Sequence, residues 1–156
     1  MISDFKYHNK RSMSRYFAEE IFLRYQDFFA RQKPDLIIPV PVHRHKKRTR
    51  GYNQAELLAA DLAVLTGIDF IPDLLLRTAD TSPQKEFSPQ ARLDNLSGAF
   101  SYNPKYRDLP RKKSTVLLTD DIYTTGATME ICSRVLLKAG FDKVCICSIC
   151  TGVARD

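Results

Sequence analysis

Long apolar runs, export signals and repeats are all missing from this sequence. No run approaches the ~20 apolar residues that a membrane-spanning helix needs, and Met1 to Tyr7 lack the apolar core of a signal peptide. No internal repeat or low-complexity tract is present. The 156 residues, 44% hydrophobic and 27% charged, have a globular composition. We therefore expect one cytoplasmic domain spanning residues 1–156, without membrane contact.

Cysteine is absent from most of the chain and appears only late, at four positions. Three of the four alternate with valine and isoleucine in a run that is typical of a buried strand. A zinc site would need a histidine or a further cysteine pair nearby, and the sequence has neither there. Small buried hydrophobic residues are therefore the expectation, and reduced thiols fit a cytoplasmic setting. The cysteines are Cys132, Cys145, Cys147 and Cys150.

The positive charge is concentrated in one short stretch. The net charge is +6, and residues 44–50 hold five of the Lys and Arg residues, which leaves +1 for the rest of the chain. We call residues 44–50 the basic segment and expect it to be a loop. A segment of this charge density favours an anionic ligand.

Helical and strand patterns alternate along the chain, which predicts a parallel, Rossmann-like α/β sheet with helices on both faces. An amphipathic helix is expected first. Asn53 as N-cap, with Glu56 three residues later, predicts a second helix that ends at Gly67. Gly140 suits the C′ position of a third helix. The inner face of the first helix, expected from Met13 to Ala30, carries Met13, Phe17, Ile21, Tyr25 and Phe28.

The predicted strands are short, and one long polar segment interrupts them. Strands are expected at 36–40, 70–77 with a break at Pro72, 98–102 and 143–151, besides the strand described next. Residues 78–99 are polar and contain two prolines, with a short helix expected near 90–96. A long loop within a compact domain is usually functional or mobile. We therefore expect a hood that acts as a lid at about 78–99.

The stretch from Thr115 to Thr128 carries the strongest functional signal. An apolar run ends in Asp120 and Asp121, and a small-residue loop and a helix start follow. The carboxyl end of a parallel strand opens into the ligand crevice of such sheets, and helix N-termini bind phosphate. Two carboxylates repel phosphate but accept hydrogen bonds from vicinal hydroxyls, so a sugar phosphate satisfies both features. A plain helix N-cap at Thr124 or Thr125 accounts for only one or two of these residues.

An apolar strand followed by Asp-Asp, Thr-Thr-Gly and Thr resembles the 5-phosphoribosyl-1-pyrophosphate (PRPP) signature of type I phosphoribosyltransferases. Within that group, Pro-Val-Pro-Val-His followed by Arg-Gly-Tyr-Asn-Gln-Ala is similar to the competence protein ComF family. The resemblance runs from about Phe5 to Ala154. It includes a middle segment whose matching residues are Arg77, Thr81, Pro83, Gln84, Ser88, Arg92, Asn95 and Phe100.

The resemblance implies a role for each constellation. Asp120 and Asp121 would orient the ribose hydroxyls as the catalytic pair, and Mg²⁺ would bind through the ligand with no direct protein ligand. The lid would contribute Gln84 and Arg92. Asn53 is explained about as well by helix capping as by ligand binding. The 5′-phosphate would be held by Thr124, Thr125, Gly126, Ala127 and Thr128, and the pyrophosphate by Val42, His43, Arg50, Gly51 and Asn53.

ComF proteins usually begin with a Cys-rich zinc ribbon, which the sequence lacks before Phe5. Either the chain is a truncated product or this member has no ribbon.

Three functions remain open from the sequence. The chain is expected to be a glycosyltransferase that moves a phosphoribosyl group to an unknown acceptor, linked through the ComF resemblance to DNA uptake in natural transformation. It would otherwise be a non-catalytic accessory that binds single-stranded DNA or a competence helicase, or a regulator that senses PRPP without turnover. Five cations exceed the need of one pyrophosphate, which keeps nucleic-acid binding open. The residues expected to contact DNA are Arg44, Lys46, Lys47 and Arg48.

Overall fold

The computed structural model describes residues 12–78, 97–109, 114–123 and 125–151, with only the backbone of Arg50 and Thr151. Within these ranges, two helices precede the first strand, and three further helices, a 3-10 turn and five further strands follow it. In chain order they are α1 (Ser12–Arg24), α2 (Gln26–Gln32), β1 (Leu36–Pro39), α3 (Arg44–Arg50), α4 (Gln54–Thr66), β2 (Asp69–Phe70), β3 (Leu75–Arg77), β4 (Phe100–Tyr102), a 3-10 turn (Pro104–Tyr106), β5 (Thr115–Tyr123), α5 (Ala127–Lys138) and β6 (Lys143–Thr151).

Four of the strands form a parallel sheet in the order β2–β1–β5–β6. The parallel sheet predicted from the sequence is confirmed. Because a parallel strand is buried on both faces, its sequence is an unbroken apolar run, and all four residues of β1 are buried. The other two strands, β3 and β4, form a separate antiparallel hairpin between β2 and β5 in the chain.

The sheet has a hydrophobic cluster on each face. Helices α1 and α4 cover one face, where Leu58 and Leu62 pack around Ile37 and Leu117. On the other face, α5 and the β3–β4 hairpin pack around the alternate residues of the same strands. Successive strand side chains point to opposite faces, so the two clusters share the strands but not the residues.

Two helical expectations were wrong. The single helix expected at 13–30 is two helices separated at Tyr25, which has non-helical φ and ψ of −117° and 29°. Tyr25 is consequently 58% exposed rather than inward-facing. The basic segment is the helix α3 rather than a loop. His43 caps its start, and Gly51 ends it with a φ of 79°, which glycine adopts without a steric penalty.

Of two further strand expectations, one is confirmed in its break and one needs correction. The break expected at Pro72 is observed, and it divides the 70–77 stretch into β2, in the main sheet, and β3, in the hairpin. The apolar run before Asp120 does not end the strand there, because β5 continues through both acids to Tyr123 by pairing with β6. The strand predicted at 143–151 is confirmed as β6, and the one at 98–102 corresponds to β4.

None of the helices within the described ranges is long and apolar enough to cross a bilayer. The short helix expected near 90–96 lies outside the described residues.

Candidate functional site

The sheet reverses its direction of winding between β1 and β5. From β1 the chain crosses to β2 on one side, and from β5 it crosses to β6 on the other. Such a switch point opens a crevice at the carboxyl ends of the two strands, which is where open α/β sheets bind ligands. Pro39 is paired with Thr119 in the register, and the Val40 amide donates to the Thr119 carbonyl at 2.8 Å. The segment that follows β1 therefore begins beside Thr119 and Asp120, and β5 extends beyond it to Tyr123.

Asp120 and Asp121 lie just beyond the level at which β1 ends. From this level on, β5 pairs with β6 only. Each carboxylate accepts the amide of the next residue at 2.8 Å, and both side chains are half-buried. Since strand residues alternate, Asp121 projects from the face of Thr119, next to α4, and Asp120 from the face of α5 and the hairpin. The two acids therefore border the crevice from opposite faces of β5.

The turn after β5, which we call the β5 loop, is described at residues 125 and 126 and is built around Gly126. Its φ is 78°, and a Cβ at this position would overlap the side-chain hydroxyl of Tyr123. Gly126 is also the N-cap residue of α5 and supplies no side-chain cap. The first amides of α5 therefore resemble an anion-binding terminus. Thr125 is exposed and Thr128 half-buried, and Thr124 lies outside the described residues.

The β1 loop (residues 40–43) is held by two side-chain caps. Asn53, which is only 5% exposed, accepts the Ala55 amide at 3.1 Å and donates to the Val40 carbonyl at 3.0 Å. The capping interpretation of Asn53 is therefore observed directly, while ligand contact by its amide stays a prediction. The Nδ1 atom of His43 accepts the His45 amide at 3.3 Å. The expected capping box is incomplete, because Glu56 pairs instead with Lys47 at 2.7 Å.

A cavity of about 400 Å³ lies between the β1 loop, the starts of α3 and α4, and strand β3. It brings together three residues of the predicted pyrophosphate loop, Val42, His43 and Asn53. Pro41 and Leu76 contribute apolar walls. Asp120 and Asp121 are not among the described residues that line it. The predicted pyrophosphate loop thus has a hollow of its own beside the strand that carries the acids.

Arg77, at the end of β3, was identified from the sequence only as matching the ComF middle segment and was given no role in the site. It lines the cavity, and its guanidinium carbon is 5.4 Å from the centre of the Phe100 ring. Burial raises the pKa of the Cys132 thiol, the Asp120 carboxylate raises it further, and the Arg77 guanidinium lowers it. Both charges therefore act on one buried thiol. Nothing local in the sequence connects positions 77 and 120, so pattern reasoning could not find this proximity.

The remaining predicted residues fall into two groups. Four side chains of α3 that were expected to contact DNA lie on the surface: Arg44, Lys47 and Arg48 are exposed, and Lys46 is half-buried. The lid residues Gln84 and Arg92, with most of the hood, lie outside the described residues, as does the side chain of Arg50. Gly51, the residue after Arg50, ends α3, and its backbone amide donates to the Lys47 carbonyl at 2.8 Å.

Within the described residues, no group of three or more His, Cys, Asp or Glu side chains could hold a metal ion. Cys132 and Cys145 are buried, and Cys147 and Cys150 are half-buried. Burial raises the pKa of the Cys147 thiol to about 11. At neutral pH a thiol of this kind is protonated and behaves as a small hydrophobic group.

The chain is similar to several curated proteins, although no family profile matches it. It is 32% identical over 147 residues to competence protein F of Haemophilus influenzae, covering 92% of the chain and 63% of that protein. It is 30% identical over 119 residues to the DNA utilization protein YhgH of Escherichia coli K12, covering 76% of the chain and 50% of that protein. Competence protein ComFC of Bacillus subtilis is 26% identical, with 89% and 53% covered. The chain thus spans between about half and two thirds of the length of these relatives.

Solved structures with the same fold are phosphoribosyltransferases. An adenine phosphoribosyltransferase superposes with a TM-score of 0.62 at 13% identity, covering 93% of this chain and 73% of that one. The adenine phosphoribosyltransferase of Saccharomyces cerevisiae, solved with an imino-altritol bisphosphate and adenine, gives a TM-score of 0.59 at 16% identity, with 90% and 69% covered. At these identities the likeness shows the fold alone.

Proposed function

Because the chain is a homologue of competence protein F and has the fold of type I phosphoribosyltransferases, we propose that it binds PRPP at the switch point between β1 and β5. The observation that carries this proposal is the shared edge of the two strands, where Val40 and Thr119 are hydrogen-bonded at 2.8 Å. It sets the β1 loop, with the basic helix α3 that follows it, and a carboxylate pair at the same edge of the sheet. PRPP has the matching charges, a diphosphate on C1 of a sugar whose neighbouring carbons carry hydroxyls.

In the proposed complex each part of the ligand has its own partner. Asp120 and Asp121 accept hydrogen bonds from the ribose hydroxyls, and the amides at the start of α5 hold the 5′-phosphate. The β1 loop receives the diphosphate. Oxygen atoms of the ligand and water would hold Mg²⁺, which prefers such ligands and would neutralise part of the diphosphate charge.

The proposed reaction is the transfer of the phosphoribosyl group. A nucleophile forms a bond to C1 while the bond from C1 to the diphosphate oxygen breaks, and the electron pair leaves with pyrophosphate. The protein contributes positioning and charge stabilisation, which are the main sources of catalysis for such transfers. A regulator that binds PRPP without turnover would use the same contacts and differ only in lacking this step.

Titration calorimetry with PRPP tests the binding. Asp120→Ala combined with Asp121→Ala should abolish measurable PRPP affinity while circular dichroism shows a retained fold. The control is Asp69→Ala combined with Asp108→Ala, which removes the same charge at exposed positions. Equal affinity in the double variant and the wild type would refute the site.

Pyrophosphate release separates the enzyme from the regulator. The wild type is incubated with PRPP, Mg²⁺ and a panel of nucleobases and amines, and pyrophosphate is measured. Release that depends on both PRPP and one acceptor supports the enzyme. Tight PRPP binding without release for any acceptor favours the regulator.

The surface of α3 favours a second function, the binding of single-stranded nucleic acid. Among the basic side chains described on this helix, Lys47 is paired with Glu56, and the others add to an exposed positive surface. Relatives named for competence and DNA utilization fit this role. Contact with a competence helicase remains a proposal of the same kind.

Salt dependence tests the nucleic-acid function. Each phosphate contact to a single strand contributes about −0.7 to the slope of log K against log salt concentration. Lys46→Gln with Arg48→Gln should therefore reduce the slope by about 1.4. Arg31→Gln with Lys138→Gln, on exposed helix ends, is the control with the same charge change. An equal slope in both double variants would rule out α3 as the contact surface.

A further inference from the structure

The basic side chains of α3 fall into two pairs, and one pair lines the cavity beside the β1 loop. Arg44 and Lys47, which we call the cavity pair, line it together with His43, the residue that caps the start of α3. Positions three apart are neighbours on a helix surface, so the two cations share one environment. Lys46 and Arg48, the outer pair, are not among the described residues that line the cavity.

Backbone hydrogen bonds fix the orientation of α3 over the cavity. The Lys47 amide donates to the His43 carbonyl at 3.1 Å, and the Gly51 amide donates to the Lys47 carbonyl at 2.8 Å. At the start of the helix, the Nδ1 atom of His43 accepts the His45 amide at 3.3 Å. The cavity pair is therefore in place without a bound anion.

The cavity pair is accessible from solvent as well as from the cavity. Arg44 and Lys47 are exposed, and 52% of the Lys47 side chain is accessible. Lys47 pairs at 2.7 Å with Glu56 of α4, which lines the same cavity. An ion pair as exposed as this one contributes little to stability, so a phosphate group can replace the carboxylate as the partner of Lys47.

Two different anions can therefore use the same two side chains. A diphosphate in the cavity attracts the head groups of Arg44 and Lys47 inward, whereas a single strand of nucleic acid along α3 attracts them outward. One head group cannot take both positions. The phosphate groups of the two ligands also repel each other when they approach one pair of cations.

We propose that PRPP and single-stranded nucleic acid compete for the cavity pair, so that PRPP in the cavity releases the strand from two of the cations of α3. This inference rests on the proposed function, because both ligands must bind at the places proposed for them. Linkage makes the effect reciprocal, and the strand weakens PRPP binding by the same factor. The chain would hold nucleic acid while PRPP is scarce and release it when PRPP is abundant.

Fluorescence anisotropy with a labelled oligothymidine tests the competition at constant ionic strength and constant Mg²⁺ concentration. Saturating PRPP should weaken the binding of the strand on the order of 10-fold, a typical size for coupled sites. The slope of log K against log salt concentration should fall by about 1.4, because each of two phosphate contacts contributes about 0.7. Calorimetry in the presence of the strand should show the same fold-loss of affinity for PRPP.

Two double variants serve as opposite controls. Lys46→Gln with Arg48→Gln keeps the cavity pair, so PRPP should weaken its strand binding by the same factor as in the wild type. Asp120→Ala with Asp121→Ala keeps α3 but is expected to lose PRPP, so PRPP should leave its strand binding unchanged. If this acid variant does not fold, sodium sulfate at the same ionic strength replaces it as the control for a salt effect.

The outcomes distinguish the competition from the functions on which it rests. A wild type that binds no PRPP removes the proposed function and the competition with it. A wild type that binds PRPP but no single strand, or both with unchanged affinities, overturns the competition and leaves the PRPP site standing. A loss of the PRPP effect in Lys46→Gln with Arg48→Gln would assign it to the outer pair, and an equal effect in the acid variant or with sulfate would make it a salt effect. Either result overturns the proposal.

Discussion

The carboxyl ends of β1 and β5 lie side by side but carry opposite chemistry. Both strands are apolar runs buried on the two faces of one sheet. After β1 the chain continues into a helix with five Lys and Arg residues, whereas β5 carries two carboxylates near its end and is followed by small residues. Burial determines the composition of the strands, because both lie in the same core. The different ends indicate a ligand whose two parts differ in charge.

The two ends are also held in place by different means. Side chains fix the first, with Asn53 and His43 capping the helices that border it. Backbone fixes the second, because β6 supports β5 up to Tyr123 and Gly126 turns the chain. The structure at the β1 end therefore depends on side-chain hydrogen bonds. The structure at the β5 end depends on the absence of a Cβ at Gly126.

The largest effect is expected from breaking the β5 end with Gly126→Ala. The added Cβ overlaps the Tyr123 hydroxyl and occupies a positive φ, which alone costs about 1–2 kcal/mol. Displacing the loop should lower PRPP affinity on the order of 100-fold, since misplacements near 1 Å have effects of this size. Calorimetry measures the affinity and urea unfolding the stability.

The control for this substitution is Gly67→Ala. Gly67 has a φ of 72° at the end of α4, and a Cβ there meets nothing within 4 Å. It should lose stability by the same positive-φ penalty and keep PRPP affinity. A Gly126→Ala protein that binds PRPP like this control would contradict the role of the β5 loop.

A smaller effect is expected from breaking the β1 end with Asn53→Ala. It removes a helix cap, worth about 0.5–2 kcal/mol, and leaves the Val40 carbonyl without its donor, for about 1–3 kcal/mol more. The free energy of unfolding should fall by about 2–3 kcal/mol in urea titrations.

Asn103 is the matched control for Asn53. It caps the 3-10 turn through the Lys105 amide at 3.0 Å and donates to the Asp73 carbonyl at 2.8 Å. Because Asn103 is less buried than Asn53, Asn103→Ala should cost less. Equal losses would mean that burial adds nothing at the β1 end.

A still smaller effect is expected from a substitution at Thr119, the residue whose side chain joins the two ends. The buried Thr119 hydroxyl lies 3.3 Å from the Ile38 carbonyl and 3.1 Å from the Ala55 carbonyl. Thr119→Val keeps the shape and removes this link between β1, β5 and α4. We expect a loss of about 1 kcal/mol, the net value of one hydrogen bond. A loss within error in denaturant titrations would show that the ends are fixed independently.

The smallest effect concerns Cys147 of β6, the residue paired with Thr119 on the other side of β5. Burial raises the pKa of its thiol from 9.0 to about 11. Below pH 9 the thiol is protonated in both states and its contribution to stability is complete. Between pH 9 and 11 the unfolded chain ionises first, so stability falls by less than about 1.4 kcal/mol per pH unit. Cys147→Ala should flatten this decline in unfolding measured across that range.

The parts of the fold that the sequence predicted are those that burial dictates locally. The bounds of β6 and the cap at Asn53 follow from an apolar run and a capping residue. The break at Tyr25 has no glycine or proline to indicate it. The basic segment was expected to be a loop, but the His43 side chain accepts the His45 amide at its start and Gly51 adopts a positive φ at its end, so it is capped as a helix.

The same distinction holds for the candidate site. The acids and the β5 loop are contiguous in the chain, so their order alone predicted a place for a sugar phosphate. Arg77 comes from a hairpin more than 40 residues earlier in the chain. It reaches the cavity beside the β1 loop through the pairing of β3 with β4 and the packing of Phe100 in the α5-face cluster.

The bond between Thr78 and Ala99 has a consequence for how this chain can change over time. These two residues hold the ends of the intervening segment at hydrogen-bonding distance, 2.8 Å. The entropy of closing the loop grows only slowly with its length, so insertions and deletions there cost the sheet little. The length of this segment can therefore change while β3 and β4 keep their pairing, so the chain can acquire new sequence there without redesign of the scaffold.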